Sequence, residues 1–94
     1  MSLSLEALGS IAADTAMKAA IQYLTEHDLE ADDDVLVDHL RSCMKAKMPE
    51  AIKDASDAIA VGMGKIAETT FLLSAALAGI EAAKEAGHPK GAVA

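Results

Sequence analysis

Twelve consecutive residues near the carboxyl end, Thr69 to Ile80, carry no charge: Thr-Thr-Phe-Leu-Leu-Ser-Ala-Ala-Leu-Ala-Gly-Ile. Successive side chains on a helix project about 100° apart. Phe71, Leu72 and Leu73 therefore point in three different directions. A helix that is apolar all round must be covered all round, either by its own chain or by another. Few folds open to a chain of 94 residues can do this.

The rest of the composition sharpens the constraint. Twenty-one residues are Ala and only 27 are larger apolar residues. A lone domain of this size buries roughly 60–65% of its unfolded surface, and Ala adds little to each contact. The core is thin unless helices approach closely or a second chain contributes. Ala, Leu, Met, Lys and Glu are good helix formers. Val and Thr are few, with one Tyr, one Phe and no Trp, so the residues that strands prefer are scarce. The expectation is an all-α chain of three helices, two shorter and one long at the carboxyl end, forming a helical bundle through homo-oligomerisation. Residues 1–87 form its single domain and residues 88–94 a frayed tail.

Helix boundaries follow from capping and breaking residues. The first helix runs from about Leu5 to His27. Ser4 is its N-cap, and Leu3 with Leu8 forms a hydrophobic staple. Leu5, Leu8, Ala12, Ala16 and Ala19, with Met17, Ile21 and Leu24, make its apolar stripe. The second runs from about Asp34 to Lys47, capped by Asp32 or Asp33, with Leu36, Val37, Leu40, Met44 and Met48 inward. Pro49 cannot continue that helix but suits the first position of another. The third then extends to Ala86, where Gly87 and Pro89 stop it. It has about 38 residues, roughly 57 Å if unbroken. Gly62 and Gly64 are the credible break within it, at about 1 kcal/mol each.

Along this third helix large aliphatics recur every seven residues, at Ile52, Ile59, Ile66, Leu73 and Ile80. Small residues follow three positions after each: Ala55, Gly62, Thr69, Ala76 and Ala83. A seven-residue repeat favours a left-handed supercoil, and small residues let backbones approach. The expected oligomer interface is Ile52, Ile59, Gly62, Ile66, Phe71, Leu72, Leu73, Leu77 and Ile80. A membrane span is the rival explanation. However, the uncharged run of 12 residues falls short of the roughly 20 a span needs.

Charge is uneven. Residues 1–40 carry nine acids and one base, and residues 41–94 six acids and seven bases, for a net of −7 overall. Glu26, Asp28, Glu30, Asp32, Asp33, Asp34 and Asp38 form an acidic surface suited to a basic protein partner. Arg41, Lys45, Lys47 and Lys53 could instead neutralise it within an oligomer. A chain of this charge, without a basic stripe, is a poor match for nucleic acid or for anionic membranes. The single cysteine, Cys43, rules out an internal disulfide. The uncharged start, Met1-Ser2-Leu3-Ser4, is not a secretory signal, so a cytoplasmic setting is expected.

Motifs for chemistry are sparse. His39 and Cys43, four apart, could offer two ligands to zinc or copper, and a symmetric dimer would double them to four. The order Asp28, Glu30, Asp32, Asp34 imitates a calcium loop. Asp33 replaces the required Gly, and His39 stands where the closing Glu should be. Glu85-Ala86-Gly87-His88 matches half of a di-iron motif, in one copy at a helix end. No Ser stands next to a His as an activated nucleophile would. The glycines around Met63 follow no strand and lack the spacing of a phosphate loop. The chain therefore reads as non-enzymatic and without a cofactor: a homo-oligomeric scaffold or small regulator. Two alternatives are a metal-binding bundle using His39 and Cys43, and a small membrane-active protein.

Overall fold

The structure is a computed structural model and describes residues 5–91. It contains α1 (Leu5–Glu26), β1 (Leu29–Glu30), α2 (Asp33–Ala60), α3 (Gly64–Ala86) and β2 (His88–Pro89). Together they form an elongated body of 52 × 21 × 19 Å. Ser4 and Leu3, the expected cap and staple, lie outside the described residues.

α1 ends within a residue of expectation. The His27 amide donates to the Tyr23 carbonyl at 3.1 Å, and the two rings lie 4.2 Å apart. α2 starts one residue early, with Asp32 as its N-cap. The Asp32 carboxylate makes no capping hydrogen bond; its carbonyl takes the Leu36 amide at 2.9 Å. Asp33 and Asp34 fill the first turn, where the helix dipole favours negative charge.

The chain does not break at Pro49. α2 continues through it for 28 residues to Ala60, and α3 has 23 residues rather than about 38. The expected long C-terminal helix is thus two antiparallel helices. An internal proline costs about 3 kcal/mol in an isolated helix, but packing overrides it here. Cys43 precedes Pro49 and Ala51 follows it, and both are buried in the core, while Pro49 itself faces solvent. The turn forms instead at Gly62, whose φ of +82° is left-handed. The Gly62 amide donates to Ile59 at 3.0 Å and the Met63 amide to Ala58 at 2.8 Å. These are the two bonds of a Schellman C-cap, which glycine accommodates without a Cβ penalty.

α3 is the central element. α1 runs parallel to it and α2 antiparallel, and both pack along it while scarcely touching each other. At one end Leu24, Leu36, Leu40 and Cys43 close over Ala78, Ala82, Ala83 and Ala86. At the other, Ala12 and Ala51 meet Phe71 and Ala75. Among the described residues, the side chains at 1% exposure or less are all alanine methyls: Ala12, Ala16, Ala20, Ala75, Ala78, Ala82 and Ala83. Helices packed through methyls come very close. A Cβ on buried Gly79 would overlap the Ala16 carbonyl oxygen and sit 2.7 Å from its carbon. Pro89 and His88 pair antiparallel with Leu29 and Glu30, so β2 ties the end of α3 to the α1–α2 connection.

Candidate functional site

α3 has two faces. Ala67, Phe71, Ala75, Ala78 and Ala82 form the inner one and are buried. At about 100° per residue, Ile66, Leu73, Leu77 and Ile80 fall on the opposite side. Ile66 is 53% exposed, Leu73 58% and Leu77 45%, with Ile80 half-buried beside them. The adjoining hairpin tip exposes Ile59 at 63%, Val61 at 71% and Met63 at 48%. Lone exposed aliphatics are unremarkable on a surface; here several align on one helix face as an apolar patch.

The chain's own helices therefore cover two of the three directions taken by Phe71, Leu72 and Leu73. Phe71 belongs to the core and Leu72 packs partly against it, while Leu73 stays open. Phe71, at 5% exposure, is not a surface residue, which corrects its place in the expected interface. Gly62 forms the turn, and within the chain nothing lies within 4 Å of a Cβ built on it. The sevenfold series is also split by that turn. Ile52 and Ile59 lie on α2, and Ile66, Leu73 and Ile80 on α3.

Ile52 instead helps line a groove of about 280 Å³ near the hairpin tip. Leu8 and Ile11 of α1 face Ile52, Ala55 and Ile59 of α2 across a floor of Ala67 and Phe71, with Ser56 and Glu68 as polar members. No local pattern signals this groove, because it arises where α1 and α2 diverge over α3.

The seven acidic residues Glu26, Asp28, Glu30, Asp32, Asp33, Asp34 and Asp38 are all exposed at the far end of the molecule. Asp28 lies 3.4 Å from Lys90 and Glu30 3.9 Å from His88, both contacts brought by the segment around β2. Lys47 pairs at 3.2 Å with Glu81 of α3 rather than with the acidic segment.

His39 and Cys43 do share a face of α2, against α3. The His39 Nδ1 is 2.9 Å from the Glu85 carboxylate. Burial, then the carboxylates of Glu85 and Glu81, push the Cys43 thiol pKa up, with Lys47 opposing. That favours the neutral thiol, whereas a metal ligand must be thiolate. Among the described residues, no group of three or more His, Cys, Asp or Glu could hold a metal ion. Glu85 and His88 of the half-motif are drawn apart, to His39 and Glu30 respectively.

By length and composition α3 could cross a membrane, with a mean hydropathy of 1.4. Its inner face is nevertheless committed to α1 and α2, and the central helix of a bundle meets the same criterion. Comparisons with known protein families, with curated proteins and with solved structures find no match to this chain.

Proposed function

We propose that this chain is a non-enzymatic helical interaction module that works as a homo-oligomer, with the outward face of α3 as its self-association surface. Its acidic end docks a basic protein surface. The observation that carries the reading is the aligned exposure of Ile66, Leu73 and Leu77 on a helix whose other face is already filled.

The test is Leu73→Glu combined with Leu77→Glu. Both side chains point away from the core, so helicity should survive while the particle falls to the 9.7 kDa of one chain. An unchanged oligomer would overturn the reading. For the acidic end, a lysine-rich peptide should bind and lose its affinity when Asp32, Asp33 and Asp34 are changed to Asn. Equal binding by that variant would remove the docking assignment.

A further inference from the structure

We infer that the groove near the hairpin tip is a binding site for a small cationic amphiphile, a short apolar chain carrying an ammonium head. The inference does not depend on self-association.

The walls set the tail. Leu8 and Ile11 of α1 face Ile52 and Ile59 of α2, and Phe71 of α3 forms part of the floor. The groove holds about 280 Å³, near the lower limit of ~300 Å³ for small-molecule sites. At roughly 30 Å³ for each water-sized group, that volume takes on the order of nine non-hydrogen atoms. Unlike the outward face of α3, this surface is concave. A chain lying in it meets apolar groups from three helices at once.

The polar members set the head. The contact of His39 with Glu85 fixes the register of α2 against α3. Seventeen residues further along α2 stands Ser56, and seventeen back along α3 stands Glu68. Both helices rise by about 1.5 Å per residue, so these two side chains lie level on two walls of the groove, both exposed. Glu68 is the one charged residue among those lining it. Among the described residues no Lys, Arg or His pairs with Glu68. An alkylammonium carries several N–H donors, enough to reach both the carboxylate and the hydroxyl oxygen.

Charge also selects against an anionic head. A carboxylate or phosphate would meet Glu68 with no cation among the lining residues to offset it. It would approach a chain of net charge −7, whose field favours cations over distance. The N-terminus of α3 at Gly64 borders the groove too and favours an anion. Its dipole amounts to about half a unit charge, against the full charge of Glu68.

Titration followed by NMR tests this, with n-octylammonium, octanol and octanoate as probes below the concentration at which each forms micelles. The expected result is saturable shifts at Leu8, Ile11, Ile52 and Phe71 with n-octylammonium. It should bind about fivefold more tightly than octanol, as an exposed ion pair allows, and octanoate more weakly than both. Glu68→Gln should bring n-octylammonium to the affinity of octanol. Asp54→Asn, an exposed acid outside the groove, should leave the difference in place. Ala55→Leu, which fills the groove from α2, should weaken all three probes. Equal affinity for n-octylammonium and octanoate would overturn the head-group assignment, as would a preference that survives Glu68→Gln or is lost equally in Asp54→Asn. Shifts confined to the outward face of α3, or none at all, would overturn the site while leaving the self-association reading to its own test.

Discussion

Replacing Gly79 with Ala should destabilise the fold, although alanine is the better helix former. The added Cβ overlaps the Ala16 carbonyl oxygen and lies 2.7 Å from its carbon and 2.9 Å from its Cα. Carbon atoms prefer separations of about 3.5–4.0 Å, so α1 and α3 must separate by about 1 Å. The obstacle is backbone, which cannot swing aside as a side chain would. The cost belongs at or above the upper end of the ~1–3 kcal/mol found for overpacked cores, because the fully buried Ala12, Ala16, Ala20, Ala75 and Ala82 loosen with it. Alanine returns about 1 kcal/mol of helix propensity. The net loss is about 2–3 kcal/mol, roughly 10–20 °C in melting temperature for a domain of this size. Thermal unfolding followed by circular dichroism reads it. Gly9→Ala in α1 is the control: nothing lies within 4 Å of its Cβ, so it should stabilise by about 0.5–1 kcal/mol. If Gly79→Ala melts at or above the wild type, the close α1–α3 approach is refuted.

Pro49→Ala should raise stability by up to ~3 kcal/mol, since α2 is already helical there and regains a hydrogen bond; a lower melting temperature would show that Pro49 is needed. Gly62→Ala should cost about 1–2 kcal/mol through its left-handed backbone, read as a lower melting temperature. Truncation after Gly87 removes β2, and should cost about 1 kcal/mol and speed hydrogen exchange at Leu29 and Glu30, its partners. The Cys43 pKa lies above its ordinary 9.0, so the folded chain holds that proton more tightly than the unfolded one. The thiol should resist alkylation below pH 9, and its stabilising effect should decline as pH rises beyond that value.

The helical class and the α1 boundaries were legible because Ala, Leu and Glu dominate and the apolar spacing is regular. The hairpin was not, because Pro49 is the stronger local breaker and Gly62 the weaker. Phase held the answer: Leu36, Leu40, Met44, Met48, Ile52 and Ala55 step by three or four residues straight through Pro49. The interval from Ile59 to Ile66 matched the heptad only because it spans the turn. The alanine packing was harder to see, since hydrophobic patterns weight large side chains. Its signal was the four-residue spacing of Ala12, Ala16 and Ala20 against Ala75 and Gly79, and of Ala78, Ala82 and Ala86. The link from His39 to Glu85 depends on the register of α2 against α3, which no local pattern encodes. The exposed side of α3 is legible only in part: the apolar run marks Phe71, Leu72, Leu73 and Leu77 alike, and which of them α1 and α2 cover depends on how far those helices reach along α3, which no local pattern encodes.

The most direct measurement is the mass of the particle in solution by multi-angle light scattering across micromolar concentrations. The account predicts an integral multiple of 9.7 kDa that falls towards one chain on dilution and is already one chain for the Leu73→Glu, Leu77→Glu variant. A well-folded wild-type particle of 9.7 kDa at every concentration would contradict it, because the outward face of α3 would then be stable in water on its own.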